Sequence, residues 1–211
     1  MRRKFQRLTT DLFDVLQEPR RPWIDTAALK KKFLALSAET HPDRVHNASP
    51  ARKEAAHQQY LEIHAAYNCL RDPKARLRHL LELERGAKPQ EVDRVPPGLL
   101  ELFMEISRST REAEAFLAER AKVSSPLLQA QMFPQGWKYE QELAALARRV
   151  QSQQEALDQE LRTLDEAWTG AAGIDRDKVL SRLEEMYRLF SYYSRWVTQL
   201  SERQFQLASK A

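Results

Sequence analysis

The sequence predicts an all-α fold in two helical parts, and three observations carry that prediction. Ala, Leu, Glu, Gln, Lys and Arg dominate the chain, and these are the good helix formers. Glycine is scarce, 5 in 211 residues, and β-branched residues are few. Apolar residues recur at spacings of three and four along successive segments, which is the helical period. Hydrophobic residues make up 42% and charged residues 30%. Such a chain buries a core and is not disordered throughout.

The elements follow in order. Asp11–Leu16 is a short apolar turn of helix that ends before Pro19. Asp25 is a good N-cap. After it, Leu29, Phe33 and Leu36 give the second helix one apolar face, with Lys30, Lys31 and Lys32 in its early turns. That helix stops at His41-Pro42, because the residue before a proline is pushed out of the α region. A polar loop, Asp43 to Ala48, comes next. Ser49-Pro50 then reads as N-cap and first-turn proline. Ile63, Ala66, Tyr67 and Leu70 stripe the third helix until Asp72-Pro73 breaks it. A short fourth helix is expected from Arg76 to Glu84, presenting Leu77, Leu80 and Leu81. Gly86 to Gly98 holds Pro89, Pro96 and Pro97 without apolar period, and reads as a linker.

Three longer helices are expected beyond it. The first opens with Leu99, Leu102, Phe103 and Ile106 and runs to about Lys122. Ser124-Ser125-Pro126 and Phe133-Pro134-Gln135-Gly136 predict a long connection. A second helix runs from about Lys138 to Trp168, until Gly170 and Gly173 interrupt the pattern. In the last helix Val179, Leu183, Met186, Phe190, Tyr193, Val197 and Leu200 repeat at four and three, a heptad seam. An intramolecular bundle is the expected use of that seam, rather than a coiled-coil dimer. The domains read from this pass are 9–85, a linker 86–98, and a helical bundle 99–208.

Charge and cysteine content narrow the function. With 34 basic and 30 acidic residues the net charge is +4, too even for nucleic acid as the default partner. No apolar stretch is long enough to span a membrane. The lone Cys69 excludes an internal disulfide and fits a reducing compartment. Its place beside the apolar stripe predicts a packed thiol. The start, Met1 to Thr10, is basic and lacks the apolar region of a signal peptide. His57 and His64 are seven apart, but no third ligand of fitting spacing accompanies them, so no metal is expected. Neither His46 nor any other residue supplies a nucleophile–base context. No cofactor fingerprint occurs, and the chain is not read as an enzyme.

His41-Pro42-Asp43 is the constellation that carries function. Pro42 stiffens the turn, Asp43 offers a carboxylate to an arginine or an amide, and His41 offers a ring that donates or accepts near neutral pH. The tripeptide falls between two amphipathic helices, with a short helix before and another after. Asp11-Leu12-Phe13-Asp14-Val15-Leu16 and Ala65-Ala66-Tyr67-Asn68-Cys69-Leu70-Arg71-Asp72-Pro73 stand at their proper separations from it. This resembles the J-domain family. The resemblance implies that His41, Pro42 and Asp43 stimulate a DnaK-type chaperone, with Arg44, Lys30, Lys31 and Lys32 as electrostatic contacts. Leu34 and Ala35 depart from the basic pair that many J-domains carry.

No Gly/Phe-rich segment or Cys-repeat region follows. Within the J-domain proteins the chain resembles the HscB family of iron–sulfur co-chaperones. Ile24-Asp25-Thr26-Ala27-Ala28-Leu29, Arg71 to Leu81 and Phe103-Met104-Glu105-Ile106 carry that likeness. It implies a DnaK/HscA-type ATPase chaperone and an IscU-type scaffold as partners, and a cytoplasmic setting rather than an organelle matrix. It also implies client contacts at Phe103, Met104 and Leu189 or Phe190. Arg108 and Arg111 depart from it, falling where the family often has glutamate. The alternatives are a J-domain adaptor for another client and a basic helical nucleic-acid binder, suggested by a pI of about 9.2.

Overall fold

A computed structural model of the chain describes residues 10–45, 47–90, 94–170 and 175–209. The basic start, His46, Gly173 and part of the expected linker lie outside them. The described residues form seven α-helices and short 3-10 turns, with no strand among them. The chain divides into two compact units. One holds Met1–Gln90 and Asp158–Tyr187, the other Glu91–Leu157 and Arg188–Ala211, over their described residues.

In the first unit, helices α1 (Leu12–Val15), α2 (Thr26–Thr40), α3 (Pro50–Arg71) and α4 (Pro73–Arg85) follow one another closely. Side-chain caps fix their starts. Asp11 accepts from the Phe13 amide, Asp25 from Ala27 and Ala28, and Ser49 from Arg52. Helix α4 begins at Pro73, three residues before the sequence predicts, because Asp72 ends α3 and also caps α4 through the Ala75 amide. Gly86 closes α4 in the left-handed conformation, at φ 69°. Helices α2 and α3 run antiparallel: Phe33 stacks on Tyr67 at 4.1 Å, while His41 meets Tyr60 nearer the tip.

The core of this unit is Phe13, Leu16, Leu29, Ile63, Leu70, Leu77, Leu80 and Leu81, each at most 2% exposed. Each such side chain stabilises the fold by about 1.5–3 kcal/mol relative to exposure. One buried residue is unexpected from its type. Arg76 is 1% exposed, and its guanidinium donates to the Pro22 carbonyl at 2.8 Å and to the Leu70 carbonyl at 2.6 Å. Burial lowers its pKa to about 10, so it stays charged near neutral pH. His79 on α4 accepts from the Leu12 amide at 3.0 Å and stacks on Phe13, which ties α4 to α1.

The part of α6 (Pro126–Thr169) that belongs to this unit holds the chain between α1 and α2. Arg21 forms a forked ion pair with Asp165, a carboxylate only 2% exposed. The Trp168 ring donates to the Arg20 carbonyl at 2.8 Å, and Arg162 lies 4.5 Å over the Trp23 ring. Within the same unit Arg182 of α7 (Arg176–Ala208) forks onto Glu160.

In the second unit, α5 (Leu100–Lys122) packs against parts of α6 and α7. Ile106, Ala113, Leu143, Val150, Phe190, Tyr193 and Leu200 form its core. The long connection expected at residues 124–136 is not there. Pro126 opens α6, and the helix continues through Pro134 and Gly136. Pro134 lies on an exposed side, where the carbonyl that loses its partner meets water. Gly136 is buried, and a Cβ there would stand 3.1 Å from the Phe116 ring. Close packing on α5 thus overrides the glycine, while the proline is carried on the exposed side. The heptad seam of α7 is buried within the chain, with Val197 half-buried.

Candidate functional site

The site begins where α2 must end. His41 caps α2 in an extended conformation, at φ −58° and ψ 132°, as the following proline requires. Pro42–Val45 form one 3-10 turn, so the expected loop is shorter and more ordered than predicted. The Arg44 amide donates to the His41 carbonyl at 3.0 Å. The Asp43 amide donates to His41 Nδ1 at 3.3 Å, which leaves the proton of the neutral ring on Nε2. The side chain of His41 is 48% exposed and that of Asp43 91%. The Asp43 carboxylate stands 3.5 Å from Nδ1, and this becomes an ion pair only when the ring is protonated.

Behind the tip lies a ladder of rings that sequence reasoning missed. His41 meets Tyr60 edge-on at 5.8 Å, Tyr60 meets His64 at 4.2 Å, and His64 meets Phe33 at 4.9 Å. Phe33 then stacks on Tyr67, with Arg71 5.5 Å above that ring. The ladder joins the tip to the α2–α3 interface. The i, i+4 spacing of Tyr60 and His64 was the available signal. His64 Nε2 is buried in these rings without a hydrogen-bond partner, while His57 is exposed. Among the described residues no group of three His, Cys, Asp or Glu is placed to hold a metal. Cys69 is half-buried and donates to the Ala75 carbonyl, and burial pushes its thiol up to about 11.

The three lysines divide. Lys32 Nζ bonds Glu18 at 2.6 Å and the Gln17 carbonyl at 3.0 Å, so it braces the α1–α2 connection. Lys30 and Lys31 are exposed on α2, eleven and ten residues before His41. They stand about 15 Å from it along the axis at 1.5 Å per residue. Leu34, 55% exposed, lies between. Arg44 is exposed beside the tip.

The residues expected to hold a client are spread over α5 and α7 of the second unit. Met104 is 57% exposed and Phe103 half-buried. Leu189 is half-buried, but Phe190 is only 4% exposed and packs as core. Met104 lines a shallow hollow with Glu101, Glu105, Arg108, Arg111 and Arg149. Arg149 reaches from α6 to Glu105 on α5 at 2.5 Å. Arg111 donates to the Ser107 carbonyl, and Arg108 lies 3.9 Å from Glu112.

A helical hairpin with a His-Pro-Asp turn at its tip, its histidine and aspartate exposed, and one short helix on each side in sequence, defines a J-domain. The DnaJ domain family model matches residues 11–79. The co-chaperone protein HscB homolog of Bordetella petrii is 42% identical over 72 residues, 34% of this chain and 42% of that protein. This match thus spans less than half of that relative's length. The HscB homolog of Bordetella pertussis is 32% identical over 127 residues, 57% of this chain and 74% of that protein. Among solved structures, the chaperone HscB from Vibrio cholerae aligns over 94% of this chain and 99% of its own, with a TM-score of 0.64. At 22% identity that likeness concerns the fold. The chain belongs to the HscB family of J-domain co-chaperones.

Proposed function

We propose that this chain stimulates ATP hydrolysis by a DnaK/HscA-type chaperone and delivers to it a client protein, an IscU-type iron–sulfur scaffold. The observation that carries this reading is the turn at His41-Pro42-Asp43, with His41 and Asp43 open to solvent, at the end of the α2–α3 hairpin. His41 and Asp43 meet the chaperone there, with Arg44, Lys30 and Lys31 supplying positive charge. Bonds already formed within the turn lower the ordering cost of docking. The nucleotide and its hydrolysis belong to the chaperone, and this chain needs no cofactor for the task.

The client docks on α5 through Met104 and Phe103, with Leu189 as a further apolar contact and Phe190 supporting from the core. Carrying client and chaperone sites on one chain raises the client's effective concentration at the chaperone. The lone half-buried thiol fits work in the reducing cytoplasm.

A steady-state ATPase assay with a DnaK-type chaperone tests the proposal, with and without an IscU-type scaffold. The native chain is expected to raise turnover, and the scaffold to raise it further. His41→Gln is expected to remove the stimulation while leaving thermal unfolding unchanged, because an exposed tip side chain contributes little to stability. Full stimulation by that variant overturns the role of the tip. A second reading, a different specialised client, is favoured by Arg108 and Arg111 on the hollow. It is supported if the scaffold neither binds the chain nor adds to turnover while stimulation by the chain alone persists.

A further inference from the structure

We propose that the outward face at the start of α6 pairs with the same face of a second copy of this chain. The observation is a stretch of unusual chemistry in an unusual place. Val123 to Trp137 contains no charged residue over 15 positions, in a chain that is 30% charged. All but the first three of those residues are helical. Apolar side chains there point away from the packed side: Leu127 is 70% exposed, Phe133 57% and Trp137 56%. Pro126, Ala130 and Pro134 are exposed with them.

At about 100° per residue these six positions fall within one arc of about 120°, and Gly136 lies outside it, about 120° from its centre. Gly136 is the residue seated against Phe116 of α5. The segment therefore seats Gly136 on α5 and carries an apolar stripe that packs on nothing among the described residues. Isolated exposed apolar residues are ordinary, but a contiguous stripe of three large ones marks an interaction surface.

The composition of the stripe selects the occupant. A charged partner surface would find nothing here to pair with. Helices that lie on membranes flank their apolar stripe with lysine and arginine, and this stretch has neither. An uncharged apolar stripe is complementary to itself. Its order suits a two-fold axis near residue 132, because Leu127 and Trp137 lie five residues to either side and Ala130 and Pro134 two. Antiparallel pairing sets each Leu127 against Trp137 of the second copy and brings Ala130, Phe133 and Pro134 together at the centre. Scaling typical side-chain areas by these exposures gives about 600 Å² per copy. Two copies together bury about 1,200 Å², at the lower end of specific interfaces. A concentration-dependent dimer is the form that area supports.

Sedimentation velocity of the full chain, from low to high micromolar, reads the outcome. The native chain is expected to shift from monomer to dimer with concentration. Leu127→Glu and Trp137→Glu are each expected to weaken the dimer at least tenfold, because each places two carboxylates in an apolar seam. Leu61→Ser, which removes an exposed leucine of the first unit, is expected to change nothing. Far-UV circular dichroism confirms that the variants keep their helices. A chain that stays monomeric throughout overturns the proposal, as does a dimer that survives Trp137→Glu or is lost equally in Leu61→Ser. Should the native chain stay monomeric yet float with phosphatidylcholine vesicles or bind the scaffold in a Trp137-dependent way, the face belongs to lipid or to the client instead.

Discussion

The tip of the first unit and the hollow of the second are both open to solvent, yet they carry different obligations to the fold. At the tip, bonds join His41 to the amides of Asp43 and Arg44, within one turn of chain. At the hollow, Arg149 crosses from α6 to Glu105 on α5, so a charged lining residue also holds two helices together. Altering the tip tests recognition almost alone. Altering an arginine of the hollow mixes recognition with packing, and Met104 is the cleaner probe there.

The largest effect expected from this contrast is at the hollow. Met104→Ala should weaken scaffold binding about tenfold, the loss typical of one apolar anchor. Stimulation of the chaperone without scaffold should not change. Titration calorimetry and the ATPase assay read the two quantities, and a fall in both would erase the distinction between the regions.

A smaller effect is expected behind the tip. Tyr60→Ala removes the ring that meets His41 and should lower stimulation about threefold, by relaxing the imidazole rather than by removing it. Tyr60→Phe keeps the ring and should behave as the native chain. If the phenylalanine variant falls as far as the alanine one, the hydroxyl matters and the ring ladder does not.

The smallest effect concerns pH and the body of the first unit. Burial holds His79 below its ordinary value, against the opposing pull of Asp11. The neutral ring accepts the Leu12 amide. Above pH 6.5 the ring is neutral in folded and unfolded chains alike, and this contribution is complete. As the pH falls through 6.5 the unfolded chain takes up the proton first, and stability declines until the folded value is passed. Denaturant midpoints at pH 7.5 and 5.5 should show the decline, and His79→Gln should lessen it by offering an amide oxygen in place of the ring nitrogen. Equal declines in both chains would assign the effect to other groups.

Much of the first unit was legible because its signals are local. Asp25, Ser49 and Pro42 act on their immediate neighbours, so helix starts and the tip could be read residue by residue. Arg76 could not, since nothing near it in sequence announces that the Pro22 carbonyl will meet its guanidinium. The ring ladder needed the register of α3 against α2. Pro134 and Gly136 misled for the opposite reason: the glycine's local rule was overruled by packing on Phe116, and the proline is carried on the exposed side of the helix. Phe190 received two incompatible expectations, a seam position from its heptad and a surface contact from resemblance, and burial favours the first. The charged lining of the hollow required α5 and α6 side by side before Arg149 could join it.

The pairing of Arg21 with Asp165 bears on how the molecule could be divided for experiments. The chain leaves the first unit after Gln90, comes back at Asp158 and departs again after Tyr187. A truncated protein stopping at residue 90 would strand the Arg21 guanidinium and uncover the Trp23 face, although the whole J-domain motif would be present. No single cut yields either half intact, and a failed fragment would report the route of the chain rather than the competence of its tip.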